Sequence, residues 1–452
     1  VSFRTTGILA VLLAVLLGAY YFAEVRGGRK DADEAGRLFT AKPEDVEALE
    51  LHAGGADIRL QRQDGGWRIE QPVQARGDGA AIGALAASLL GARAERTLEE
   101  LPKSLADYGL DNPELVVRFR ARGDSQWRRL EFGGKNPTGA WAYVRVDEKP
   151  QVILVPDALR GELRKTALDL RDKSVMDVEA ERVTRLVVRR GAQEPLELRR
   201  GAQWEIAGPV KVRADEWRVS GLVRRLATAK AKAFAAEPAA DLKPYGLDRP
   251  AVRLELWEKD AAAPKVLALA EPKDKPNLLY GRNEATMTVV ELDKALMTDV
   301  PKDAWEIRDK SLFRYATRDV KRLRLAWGGT AVAVEREGEA KWKVAEPAAG
   351  AADESRVRDL LFKLTALRAD GVAAEQAGAP DRYGLDRPEL TITVTGADGK
   401  ALGTLLVGKQ ERDERYVQIQ GEPAVYTVPS KDLQDLPRAP DDFREKKPEK
   451  KA

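Results

Sequence analysis

The chain is 452 residues long, with 76 Lys plus Arg against 73 Asp plus Glu, 43% hydrophobic residues and no cysteine. The hydrophobic content excludes global disorder, and the near-balanced charge argues against a dedicated nucleic-acid binder. Without cysteine there are no disulfides, thiolate metal sites, iron–sulfur clusters or cysteine nucleophiles.

The first predicted element runs from Thr5 to Ala23, nineteen residues without a charge. As a helix it spans roughly 28 Å at about 1.5 Å per residue, close to the thickness of a bilayer's hydrocarbon core. Tyr20, Tyr21 and Phe22 then fall at the far interface, where aromatic rings are favoured. Cleavage after Ala23 would place bulky Tyr21 where a signal peptidase needs a small residue, so an uncleaved anchor is expected. Arg26, Arg29 and Lys30 on one flank against Arg4 on the other favour, by the positive-inside rule, a cytoplasmic main domain.

Beyond the anchor, one phrase is written three times: YGLDNP at Tyr108–Pro113, then YGLDRP at Tyr245–Pro250 and Tyr383–Pro388. Other marks keep the same period of about 137 residues. Trp67, Trp204 and Trp342 each precede a proline by five residues. Leu49, Leu186 and Leu323 sit in equivalent early strands, and Tyr143, Tyr280 and Tyr416 in a late one. LRDK, IRDK and FREK close the copies. The expected organisation is an anchor and linker (1–36), three modules (37–174, 175–311 and 312–446) and a basic tail (447–452).

Within a module, ALELHA, ADIRLQR and WRIEQP alternate apolar and polar residues, which predicts strands with one wet face. Asp78, Asp215 and Asp353 are expected N-caps of a following helix. Four, seven, eight and eleven residues beyond each Asp stand apolar residues: Ile82, Leu85, Ala86 and Leu89 in the first copy, for example. That is one helical stripe, which must be buried. YGL reads as a helix stop, its Gly left-handed and its Leu folded back towards Leu105, Leu242 or Pro380. The Asp fits a turn and the Pro the opening of a strand. Further strands follow, and DALRGELRKTALDL closes the first copy as a short helix. The fold class is α+β: three tandem repeats, each a mostly antiparallel sheet with helices packed on one face, after one N-terminal transmembrane helix.

Candidate chemistry is sparse. The single histidine, His52, points away from the Leu49 and Leu51 face and reads as a solvated strand residue. With one His and no Cys, the usual zinc sets and His-activated nucleophiles are unavailable. GGKNPTG at 133–139 lacks the glycine and hydroxyl spacing of a phosphate loop and reads as a hairpin turn. No catalytic, cofactor-binding or metal residues are assigned. The repeated tryptophans read as core anchors, with a stacking role on sugar or peptide as the alternative. Arg171 and Asp172, or Arg308 and Asp309, could pair with a neighbouring module.

An N-terminal membrane helix followed by copies of W-x-[IV]-x-x-P, an Asp-capped helix, YGLDxP and a closing RDK resembles the domain-of-unknown-function family 4340. The resemblance covers the chain from Leu38 to Lys446. The second copy departs from the pattern, with LALAEPKDKPNLLYGR in place of the Gly-Lys turn near Lys135 and Lys409. The resemblance implies a bacterial protein held in the cytoplasmic membrane by one pass, its modules extracytoplasmic. It is similar in setting to auxiliary components of gliding-motility-type ABC transporter systems. The expected function is therefore a non-enzymatic accessory or scaffold protein with protein partners in an envelope complex and no cofactor. The alternative is an envelope glycan- or peptide-binding module using the tryptophans.

Overall fold

The computed structural model describes residues 36–99, 102–272, 277–338 and 341–444. The expected membrane helix at Thr5–Ala23 and the tail at 447–452 lie outside them. Among the described residues no helix is long and apolar enough to cross a membrane. The chain forms two compact units: one runs through Ser174, the other begins at Val175. The first holds one nine-stranded sheet and the second holds two, all with the same strand order.

Module 1 sets the pattern. Its strands are β1 (Val46–Ala53), β2 (Ala56–Gln63), β3 (Gly66–Gln71), β4 (Ala75–Arg76), β5 (Arg96–Glu99), β6 (Leu115–Ala121), β7 (Arg128–Lys135), β8 (Trp141–Val146) and β9 (Val152–Pro156). They lie in the order β4-β3-β2-β1-β6-β7-β8-β9-β5. Two meanders thus meet at the central β1–β6 pair, where Leu49 opposes Phe119 and Leu51 opposes Val117 in antiparallel register. Between β4 on one edge and β5 on the other runs helix α1 (Gly79–Leu90).

Asp78 caps α1, accepting from the N–H groups of Ala80 (3.0 Å) and Ala81 (3.1 Å). Asp215 and Asp353 cap the equivalent helices, Glu216–Ala227 and Glu354–Ala366, in the same way. The apolar stripe is buried in all three: Ile82, Leu85, Ala86 and Leu89; Val219, Leu222, Val223 and Leu226; Val357, Leu360, Leu361 and Leu364. Each Leu, Ile or Val side chain so removed from water contributes on the order of 1.5–3 kcal/mol, so the stripe fixes the helix to the sheet. The closing helix is broken into α2 (Ala158–Leu163) and α3 (Ala167–Leu170). A capping box of Thr166 and Asp169 restarts the chain as α3.

The repeated phrase covers the sheet's other face. Gly109, Gly246 and Gly384 have φ of +66°, +67° and +69°. The N–H of Leu110 donates to the Leu105 carbonyl (3.0 Å) and that of Gly109 to Ala106 (3.0 Å), the double bond of a left-handed helix stop. Leu247 and Leu385 repeat the longer bond, to Leu242 and Pro380. The turn that it stops is 3-10 rather than α. Leu110, Leu247 and Leu385 are buried. The tyrosines pack edge-to-face on the late strand, Tyr108 on Tyr143, Tyr245 on Tyr280 and Tyr383 on Tyr416, with centroids 5.0–5.1 Å apart. In modules 2 and 3 these residues join small apolar clusters separate from the main cores. The phrase therefore packs the part of the sheet that the helix cannot reach. Its prolines stand two residues before the next strand rather than opening it.

Candidate functional site

The three repeated tryptophans are held by the core. Trp204 is 2% exposed and Trp342 is 7% exposed, while Trp67 is half-buried against the core of module 1. Trp204 and Trp342 therefore present no stacking face to a sugar. The prolines five residues on follow cis peptide bonds. His52 is exposed on β1 and contacts Asp57 across the hairpin, on the face opposite Leu49 and Leu51. The 133–139 segment ends β7 and turns into β8: Asn136 accepts from the N–H of Trp141 (3.1 Å), closing a hairpin and not a phosphate cradle. Among the described residues there is no group of three or more His, Asp or Glu placed to hold a metal ion.

The helix-free face carries ion pairs between strands. Glu50 takes Arg59 (3.1 Å) and Arg118 (2.8 Å), and Arg118 and Arg120 lie over the Trp127 ring. Glu131, only 1% exposed, is held by Arg129 (2.5 Å) and Arg145. Burying that carboxylate is tolerable because both cations reach it.

Modules 2 and 3, both in the second unit, meet in a joint. Arg308 of the second RDK is 2% exposed and pairs through one nitrogen with both oxygens of Glu375 in module 3, at 2.8 and 2.6 Å. Its guanidinium carbon lies 5.7 Å from the centre of the Tyr426 ring. Next to it, Asp309 accepts from the Ser311 N–H (2.9 Å) and from Arg314 Nε (2.7 Å), and Arg314 reaches on to Glu422 (3.2 Å). Burial pushes the Asp309 carboxyl up, but the Ser311 and Arg314 hydrogen bonds outweigh it and hold the carboxyl below its usual value. Trp305 packs against the core of module 3 and carries Lys310 over its ring at 4.1 Å. The Ala369 N–H donates to the Lys310 carbonyl (2.9 Å), adding a backbone tie. The expected pairing of Arg308 and Asp309 across a module boundary is thus present. In module 1, Asp172 accepts from the Ser174 N–H (2.9 Å), and its own N–H donates to the Arg76 carbonyl (2.9 Å).

The sequence signalled Arg308 and Asp309 through the repeated RDK. The Arg308 partners Glu375 and Tyr426, and Glu422 beyond Arg314, lie far along the chain and carry no motif. The joint ties the two modules through ion pairs, a packed indole and a backbone hydrogen bond.

No curated protein matches the chain. A family model for a domain of unknown function matches residues 67–203, 204–379 and 342–451. Two of these segments open on the repeated tryptophans Trp67 and Trp204 and the third on Trp342. With matches across most of its length, the chain belongs to the family of this domain of unknown function, DUF4340.

Proposed function

We propose that the chain is a non-enzymatic scaffold, anchored in a bacterial cytoplasmic membrane by Thr5–Ala23. Its modules face outward and serve as an accessory part of an ABC-transporter-like envelope complex. The observation that carries the scaffold reading is the joint in which the buried Arg308 of module 2 pairs with Glu375 of module 3. Two modules tied through an ion pair on a buried arginine, an indole and a backbone hydrogen bond form a firm platform, which suits holding partners at fixed spacing. The repeated motif residues support it as well, because the helix caps, the left-handed glycines and Trp204 and Trp342 are spent on folding. The membrane and transporter parts rest on the uncharged N-terminal stretch and on the family resemblance.

The test is purification of the full chain from gently solubilised native membranes, with mass spectrometry of what accompanies it. Permease or ATPase subunits at near-equal amounts support the reading; recovery of cell-wall fragments instead counts against it. A reporter fused after Ala452, active only outside the cytoplasm, tests the orientation. Activity only in a cytoplasm-dependent reporter reverses that part.

A further inference from the structure

The three modules can be compared position by position, and one position differs in a way that opens a site. Ala53 ends β1 on the helix-facing side of the sheet. The same place is Arg190 in module 2 and Trp327 in module 3, each two residues after a buried core residue: Leu51, Val188 and Leu325. In module 2 the Arg190 side chain crosses the gap below the strand. Its Nη2 donates to the Val300 carbonyl (2.7 Å) and its Nε to the Pro301 carbonyl (3.1 Å). In module 3 the Trp327 indole packs against the core. In module 1 the methyl of Ala53 fills nothing comparable, and a groove of about 820 Å³ lies there. That volume is within the range of about 300–1,000 Å³ that suits ligand pockets.

The groove has a definite chemistry. Leu51, Ile58, Pro72 and Ala167 give it apolar walls; Arg164, Lys165 and Asp57 are its charged lining, with Arg164 paired to Glu114 (3.1 Å) and Asp57 in contact with His52. Arg164 occupies the place of Pro301, whose carbonyl Arg190 engages in module 2. The filling groups in the sister modules are both flat and both carry N–H donors, one a guanidinium and one an indole. With Arg164 shared with Glu114 and Asp57 facing His52, Lys165 is the rim cation that complements a carboxylate flanking such a group.

We infer that the groove of module 1 is a docking pocket for a tryptophan side chain flanked by acidic residues on a protein partner. The indole takes the space that Trp327 and Arg190 occupy in modules 3 and 2, and a flanking carboxylate meets Lys165, with Arg164 shared between it and Glu114. This site is separate from the module 2–3 joint and requires no transporter, so it stands or falls independently of the proposed function.

The test uses the full chain in detergent micelles with labelled isoleucine and leucine methyl groups. The probe is the peptide acetyl-Glu-Trp-Glu-amide, with acetyl-Glu-Ala-Glu-amide as control. The expected result is a saturable shift of the Ile58 and Leu51 methyl signals with the tryptophan peptide alone. In Ala53→Trp and Ala53→Arg, which install the residues of modules 3 and 2, binding should be at least about tenfold weaker. Unchanged methyl signals from core leucines of module 1 that do not line the groove, such as Leu85 and Leu130, would show that these variants are folded. If one filled variant fails to fold, the other decides. The inference is overturned by the absence of a saturable shift at Ile58, by equal shifts with the alanine peptide, or by undiminished binding in a folded filled variant.

Discussion

Removing the two partners of the Arg308–Glu375 pair should have unequal effects. The Arg308 side chain is 1% exposed and that of Glu375 is 44% exposed. Glu375→Ala leaves a buried guanidinium facing only the Tyr426 ring, and two of its nitrogens, Nε and Nη1, already lack a hydrogen-bond partner among the described residues. Breaking a buried pair in this way costs about 3–5 kcal/mol when both charges are buried. Water reaches the Glu375 side and screens the pair, so the expected loss is about 2–3 kcal/mol. Arg308→Met removes the buried charge itself, releases Glu375 to water and keeps most of the packed stem. The expected cost is about 0–1 kcal/mol. A chain of several modules does not unfold as one two-state system, so a single melting temperature is a poor readout. Hydrogen exchange of the 367–375 segment reports the local opening free energy directly. If Arg308→Met loosens that segment as much as Glu375→Ala does, the desolvation argument is wrong and the pair acts through shape alone.

Three further outcomes are expected. Gly408→Ala should destabilise module 3 by about 2–4 kcal/mol, because a Cβ there would lie 2.1 Å from the Tyr383 carbonyl oxygen. Module 2 carries Ala270 at the matching place, so Ala270→Gly should cost no more than about 1 kcal/mol, and equal protection losses on hydrogen exchange would refute the close-approach reading. Asp215→Ala should cost about 1 kcal/mol by freeing the N–H groups of Trp217 and Arg218, seen as faster exchange in the first turn of that helix. The Asp309 carboxyl is held below its unfolded value, so its contribution is present above that value, about pH 4, and is lost as pH falls through the lower folded value. A fluorine label on Trp305 should report loosening of the joint only in that acid range, and Asp309→Asn should abolish the dependence.

The elements most legible in the sequence were those whose cause is local. A carboxylate followed by apolar residues at helical spacing fixes its own N-cap and buried face, so Asp78, Asp215 and Asp353 could be read directly. The left-handed glycine of YGL likewise needs only its neighbours. What the phrase is for was not local. Its tyrosine meets a partner thirty-odd residues later, across the sheet face that no helix covers. The strand order was hidden for the same reason: β5 pairs with β9 at the far edge, and its short sequence does not say so. At the joint, RDK marked one side, but Glu375 and Tyr426 are ordinary residues that gain meaning only once the second and third modules meet. The groove at Ala53 has no mark in the sequence, because what fills the equivalent space, the Arg190 side chain bonded to Val300 and Pro301, belongs to another module.

The outermost strands have a consequence for how such a chain survives its own synthesis. Three sheets of matching register on one polypeptide are natural candidates for strand exchange, since each copy offers a plausible mate to the others. Each sheet, however, ends in a two-residue strand on one side, Ala75–Arg76, Val212–Arg213 or Gly350–Ala351, and in a four-residue strand on the other. Such stubs offer few open N–H and C=O groups as a template for a foreign strand. The long strands that would pair most strongly lie inside the meanders, so a module that has folded presents its siblings with little to exchange.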